Sequence, residues 1–320
     1  MTSIIIDSDM ALGCRNADVD DAIAILVALS EKELEVIGIS PSAGNVPGDY
    51  SGPNIDRLLR IIGRESVPHA RRASAFVSED HWIEEGRWKA LGLAEQDPAL
   101  LEGERSVDFL IRRLSEASEP VVLVNIGPLT NLALALKVEP RIERKIKALY
   151  MMGGTWFMPG VGGKDKEFNI LADIDAAASV FLSNLKIVIF PLDVTKKRKI
   201  YPEDLALWKD SSSAFSRYLY NECTAFMKAR AKRDGYPDPH AFFHDVLPVL
   251  AIDHPEWFSL TPCSVHIDTT GESTRGKMVV DTKLRGRREH RHLIATDVRE
   301  SEVLKYVISR IDECYKDAVI

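Results

Sequence analysis

The 320-residue sequence has no apolar run approaching the roughly 18 residues that a helix needs to cross a bilayer, so no helical membrane span is expected. Cysteine is scarce and scattered. Cys14, Cys223, Cys263 and Cys314 show no CxxC spacing, which argues against a zinc site and a disulfide framework, and they read as reduced packing residues. Positive charge is also in short supply: 41 Lys and Arg against 48 Asp and Glu give a net charge of −7, with no global field to hold a polyanion. Nucleic acid is therefore not an expected partner. The local basic stretch Arg285, Arg287, Arg288, Arg291 and His292 reads as a solvated loop. The opening MTSIIIDSD lacks a basic n-region and a small-residue cleavage site, and the expectation is a cytoplasmic protein. Internal repeats, low-complexity tracts and a linker are missing too, so residues 1–320 read as one domain.

What the chain does have is an alternation of strand-length apolar runs with amphipathic, helix-length stretches. The candidate strands are Ser3–Ile6, Leu34–Ile39, Val121–Asn125, Ala148–Met152 and Ile187–Pro191. Helical patterns cover Asp20–Ser30, Asn54–Ile62, Ser106–Ala117, Leu129–Lys137 and Ile174–Leu182. This pattern predicts an α/β fold, a single mostly parallel open sheet flanked by helices. Each candidate strand ends in a polar or glycine-bearing segment (DSD, SPSAGN, IGPLTN, GGTW, LDVT), and ligands of such sheets bind at the strands' carboxyl ends. The last third is less regular. It shows a helical region near Ser213–Lys232, a helix from about Val246, and a β-pair formed by Ser264–Asp268 and Lys277–Asp281.

Five carboxylates gather around the first strand-to-helix connection: Asp7, Asp9, Asp18, Asp20 and Asp21. Helix capping accounts for Asp18 or Asp20, because an acidic side chain suits a helix N-terminus. It does not account for Asp7 and Asp9 at the other end of the loop, since like charges repel unless a cation or proton compensates. A hard, oxygen-seeking cation such as Ca²⁺ or Mg²⁺ would resolve the repulsion. A DxD after the first strand also suits a phosphohydrolase with an aspartate nucleophile, so the cluster alone leaves both readings open.

Further motifs lie along the chain in order. They are DSDMALGCRNADVDDA from Asp7 to Ala22, SAGN ending at Asn45, Asn54, GPLTNLALAL from Gly127, MMGG from Met151 and EFN from Glu167. LDVT from Leu192, His244-Asp245 and STRGKMVVD from Ser273 complete the series. With these the sequence resembles the inosine-uridine-preferring nucleoside hydrolase family over nearly its whole length, and the phosphohydrolase reading recedes.

The resemblance implies Ca²⁺-dependent hydrolysis of the N-glycosidic bond of a ribonucleoside, to free base and ribose, in purine or pyrimidine salvage. By position it implies Ca²⁺ ligation by Asp9, Asp21, Asp245 and the backbone carbonyl of Ile126. Asp20, Asn45, Glu167, Asn169 and Asp245 match positions that contact ribose or the nucleophilic water. Asp9 matches the general base, and His244 the position that assists the departing base. Trp156, directly after MMGG, is the better candidate for stacking on the base, with Trp82 second. The family also implies a homo-oligomer, dimer or tetramer.

Three departures stand out. Ten residues, Met10–Val19, separate Asp9 from Asp20, a much longer spacer than the family pattern, and Gly13 and Asn16 suit its turns. The asparagine that usually precedes EFN, holding the ribose 5′-hydroxyl, is replaced by Val161, with Lys164 and Lys166 nearby. The base-side tyrosines are not evident either, and Lys228 and Lys232 fall in their place. These departures motivate two alternatives: hydrolysis of a 5′-modified nucleoside, or a catalytically weak relative that binds a nucleoside or a protein partner.

Overall fold

The computed structural model describes residues 1–78, 88, 91, 93, 102–161, 165–283 and 291–320. Trp82, Lys164, Arg285, Arg287 and Arg288 lie outside the described residues.

Strand β1 (Thr2–Ser8) carries three consecutive isoleucines, and all three are fully buried. A strand sends successive side chains to opposite faces, so an unbroken apolar run needs cover on both. The packing shows that division. Ile4 and Ile6 join one hydrophobic cluster and Ile5 the other, and in β3 (Val121–Asn125) Val122 and Val124 oppose Val121 and Leu123 in the same way. With β2 (Leu34–Pro41), β4 (Ile146–Met152), β5 (Ile187–Phe190), β6 (Phe258–Ile267), β7 (Met278–Asp281) and β8 (His292–Val298), they form an eight-stranded sheet in the order β2-β1-β3-β4-β5-β8-β6-β7. The pairs from β2 through β8 are parallel, and β6 runs antiparallel to both β8 and β7. This is the mostly parallel open sheet expected from the alternating pattern.

The helix Asp20–Ser30 is apolar on all sides, its residues from Asp20 to Ala28 are buried, and it packs against the helices Val246–Asp253 and Glu300–Cys314. Its acidic first turn is thereby set into the protein rather than into solvent. The five expected strands are present, as is the β-pair, with register from Ser264↔Asp281 to Ile267↔Met278. The second helix runs Gly48–Ile61 rather than starting near Asn54, and Pro53, its sixth residue, lies within it. All four cysteines are free thiols, three of them buried. Arg291 of the basic stretch donates to the Ser183 carbonyl at 2.9 Å, and His292 is buried. Among the described residues no helix is long and apolar enough to cross a membrane.

The chain leaves β1 for β2 on one side and returns to β3 on the other. The crevice between β1 and β3 is thus a topological switch point, where open α/β sheets bind their ligands.

Candidate active site

The acidic segment opens into this crevice, but not as one cluster. Asp7, still within β1, faces Ser40, whose hydroxyl donates to its Oδ2. Asn131 Nδ2 donates to the same oxygen at 2.9 Å, and Asn125 Nδ2 donates to Oδ1 at 3.2 Å. Asp7 therefore ties β1 to β2, to β3 and to the helix Thr130–Val138, with burial raising its carboxyl to about 6. It stands apart from the carboxylates that surround the crevice. Asp18 is a local cap whose Oδ1 accepts the N–H of Val19 at 2.8 Å.

Asp9, Asp20, Asp21 and Asp245 are all buried. The Asp9 and Asp21 carboxylates abut, and both are held from the protein side. The Asn45 backbone N–H donates to Asp9 Oδ2 at 2.6 Å, Asn45 Nδ2 to Asp21 Oδ2 at 3.2 Å, and Ser8 Oγ to Asp21 Oδ1 at 2.6 Å. Two glycines make room: a Cβ on Gly44 would fall 2.0 Å from Asp9 Oδ2, and one on Gly127 would fall 2.5 Å from Ser42 Oγ. Asp20 Oδ2 accepts the backbone N–H groups of His244 at 2.7 Å and Asp245 at 3.1 Å. Asp245 stands at the N-cap of the Val246–Asp253 helix yet makes no capping bond with its side chain, which leaves that carboxylate for the crevice.

Burial pushes Asp9, Asp20 and Asp245 well above the usual carboxylate range, and neighbouring carboxylates push them further: Asp21 on Asp9, Asp18 on Asp20, and Asp20 on Asp245. Asp21 is raised by burial to about 6. Two buried oxygens of this group, Asp9 Oδ1 and Asp20 Oδ1, have no hydrogen-bond partner among the described residues. Buried carboxylate oxygens without donors are costly, and a hard divalent cation satisfies them. The donor set therefore fits an oxygen-ligated cation. Its carboxylates are spread more widely than a trio at the other end of the Asp20–Ser30 helix, Glu31, Asp253 and His254, whose ligand atoms lie within 4.8 Å of one another. In that trio Glu31 Oε1 accepts from Tyr306 Oη at 2.7 Å and the orphaned atom is an imidazole nitrogen, His254 Nε2, whereas the orphans of the N-terminal set are carboxylate oxygens.

Across the crevice, Glu167 caps the short helix Phe168–Ala172. Its carboxylate accepts N–H groups from Gly154 at 2.9 Å, Asn169 at 2.8 Å and Ile170 at 3.2 Å. A carboxylate offers about four acceptor sites, so one remains. Asn169 donates both amide hydrogens, to the carbonyls of Ile126 and Met152, each at 3.2 Å. This fixes the Ile126 carbonyl and leaves Asn169 Oδ1 as an acceptor. His244 Nδ1 lies 2.7 Å from Thr195 Oγ1, and burial, then Lys196 and Arg230, lower the imidazole to about 3.

On the rim, Asp193 accepts the backbone N–H groups of Trp156, Phe157 and Met158. Trp156 packs against the core and stacks on Phe157 with 4.6 Å between ring centres; Phe157 is the solvent-facing member, 80% exposed. Val161 also packs against that core cluster. Lys228 and Lys232, which stand at the base-side spacing in the sequence, are exposed. Positions 228 and 232 share the solvent face of the Ala214–Asp234 helix, and Arg230, two residues from each, turns inward.

Sequence reading thus collected Asp9, Asp20, Asp21, Asn45, Ile126, Glu167, Asn169, His244 and Asp245, and the fold brings them to one crevice. It passed over Thr195, Asp193 and Arg230. LDVT was visible as a motif without roles for its side chains, and the pairing of Thr195 with His244 spans 49 residues of sequence. Trp88, whose indole donates to the Gly44 carbonyl at 3.1 Å, carried no local signal.

Residues 4–305 match the family described as inosine-uridine preferring nucleoside hydrolase. The chain is 34% identical over 270 residues to the pyrimidine-specific ribonucleoside hydrolase RihA of Citrobacter koseri, covering 82% of this chain and 85% of that protein. To RihA of Klebsiella pneumoniae it is 33% identical over 293 residues, 89% and 92% of the two chains. The purine-preferring ribonucleoside hydrolase from Gardnerella vaginalis superposes with a TM-score of 0.84 at 26% identity, covering 98% of this chain and 99% of that one. An inosine-uridine preferring nucleoside hydrolase from Bacillus anthracis shares the fold, with a TM-score of 0.75 at 20% identity over 98% and 100% of the chains. By the match over 4–305, by identity to its relatives and by the fold it shares with solved structures, this chain belongs to the inosine-uridine preferring nucleoside hydrolase family.

Proposed function

We propose that the protein hydrolyses the N-glycosidic bond of ribonucleosides with the help of Ca²⁺, held by Asp9, Asp21, Asp245 and the Ile126 carbonyl. The observation that carries this reading is the pair of buried, donorless oxygens, Asp9 Oδ1 and Asp20 Oδ1, set among four buried carboxylates. When bound, the ion supplies Lewis acidity that acidifies water and polarises sugar hydroxyls. Asp9 accepts the proton of the attacking water at Oδ1, while Asn45 holds its Oδ2. Asp20, Asn45, Glu167, Asn169 and Asp245 bind the ribose: Asn169 Oδ1 and the remaining acceptor site of Glu167 accept hydrogen bonds from its hydroxyls, and Asp20 does so through Oδ1. Holding the sugar this way raises the effective concentration of the nucleophile. Attack is direct, with no covalent sugar-enzyme intermediate.

His244 serves the base side. If Thr195 donates to Nδ1, the neutral imidazole carries its proton on Nε2 and offers it as a hydrogen bond to the departing base. Trp156 and Phe157 together form the aromatic rim. Incubation of the purified enzyme with a nucleoside panel, read as free base by chromatography, tests the proposal, with uridine and cytidine first because the RihA relatives are named pyrimidine-specific. Calcium bound stoichiometrically but no base from any nucleoside would replace it with a binding role.

A further inference from the structure

The base side of the crevice carries two cations that no step above uses. Arg230 is only 12% exposed, with its guanidinium 5.1 Å from the centre of the Phe242 ring and 5.3 Å from that of Tyr236. It donates to the His240 carbonyl at 3.4 Å, and its carboxylate neighbour, Asp234, stands 3.7 Å away. The Phe242 ring in turn lies 5.3 Å from the His244 ring. From the other side, Thr195 holds the imidazole, and its chain neighbour Lys196 is half-buried, its ammonium donating to the Pro159 carbonyl at 3.1 Å. Among the described residues no carboxylate lies within ion-pair distance of Lys196. Glu167, held in place by three backbone N–H groups, exerts an attraction from further off.

Lys196 and Arg230 therefore flank His244, and burial together with the Arg230 charge holds the Lys196 ammonium below its usual range. Arg230 is already ion-paired to Asp234 on one side, so its charge is partly offset; the remaining like charges repel in a partly desolvated place, and an anion between them relieves the repulsion. Arg230 is locked by its aromatic stack and Lys196 by the rim loop, so both charges are fixed before any substrate arrives. Fixed charges aimed at a place where charge develops are an effective form of transition-state stabilisation.

We propose that Lys196 and Arg230 stabilise the nucleobase as it leaves as an anion, and that this favours nucleosides of oxo-pyrimidines. The inference rests on the hydrolase reading above. As the C1′–N1 bond breaks, its electron pair stays on N1 and spreads to the O2 and O4 oxygens of the base. The water oxygen forms the new bond to C1′, and the water proton passes to Asp9. No proton has to reach the base before the bond is broken. An adenine, whose departure is helped by protonation of the ring, gains nothing from two positive neighbours.

The test uses 5-methyluridine, uridine and 5-fluorouridine, whose bases differ in acidity while the sugar stays the same. Expected is a shallow dependence of kcat/KM on base acidity in the wild type. Lys196→Met should lose on the order of 10- to 100-fold on the two poorer leaving groups and much less on 5-fluorouridine. Arg230→Met should steepen the dependence in the same direction, and Lys196→Arg, which keeps the charge, should restore the shallow one. An equal loss on all three substrates would mean that Lys196 only anchors the rim loop through Pro159, and would overturn the proposal while leaving the hydrolase reading intact. A wild type that releases no base from any nucleoside would overturn both.

Discussion

Asp20 reaches across 224 residues of sequence to hold the backbone N–H of His244 at 2.7 Å, through the same oxygen that accepts the N–H of Asp245. One carboxylate oxygen thus positions the base-side histidine and a proposed cation ligand together, while its twin stays buried without a donor. The first turn of the Asp20–Ser30 helix is thereby tied to the start of the Val246–Asp253 helix at the crevice.

Asp9→Asn should lower kcat by roughly 10²–10⁴-fold, the usual contribution of a positioned general base. The amide still accepts from the Asn45 N–H, and it removes one of two abutting carboxylates. Cation-free protein should therefore melt no lower than wild type. Near-normal turnover would remove Asp9 as the base.

Cation binding should become more stabilising as pH rises. The Asp21 carboxyl titrates at about 6 in the folded protein against an ordinary value of 3.8, so the folded form holds its proton more tightly. Without a cation this contributes stability that is fully present below 3.8 and is lost as pH rises through about 6. A bound cation takes the carboxylates deprotonated, so the Tm gap between calcium-loaded and chelator-treated protein should widen from about pH 5 to about pH 7.5. A gap that is flat or narrows over that range would contradict the ligand set.

Gly44→Ala should damage the site more than the fold. The added methyl would fall 2.0 Å from Asp9 Oδ2, and relieving that overlap costs about 1–3 kcal/mol in a packed interior. Thermal melting should show a modest loss, and turnover a larger one. Equal activity with lowered stability would mean that Asp9 can shift without consequence.

Asp193→Ala should act on binding. Its carboxylate accepts three consecutive backbone N–H groups from the Trp156–Met158 segment, each worth about 1 kcal/mol. Loss of these bonds loosens the aromatic rim, so KM should rise while kcat changes little. A fall in kcat at constant KM would place Asp193 nearer the chemistry.

Much of this was legible in the sequence because periodicity and local chemistry coincide. The helices Asp20–Ser30 and Ile174–Leu182 and strand β3 have the expected bounds, since each is apolar along its length and sharply punctuated. Strand β8 escaped notice. HLIATDV has only weak alternation and follows an Arg-rich segment, and its place between β5 and β6 is set by tertiary pairing. The acidic segment told a similar story. Five carboxylates near one turn do signal a cation site, but only the fold shows Asp7 turned onto Ser40 and Asn131 and Asp18 spent on a cap. Lys228 and Lys232 were legible as charges and misleading as neighbours of the base, because two residues along a helix reverse the face.

The long spacer between Asp9 and Asp20 reads in the sequence as an extended loop with turns at Gly13 and Asn16, yet most of it is interior. Met10, Ala11, Leu12, Cys14, Ala17 and Val19 are buried, part of them in a small cluster with Val46, and the tight spots fall to Gly13 and Asn16 at positive φ. Such a segment behaves as a wedge between β1 and the Gly48–Ile61 helix. Trimming it would leave a hollow beneath the Gly44–Asn45 turn rather than a wider doorway. Tolerance to change should be confined to the exposed Arg15, and a library randomised over Met10–Val19 should recover Gly at 13, Asn or Gly at 16 and apolar residues everywhere else except Asp18.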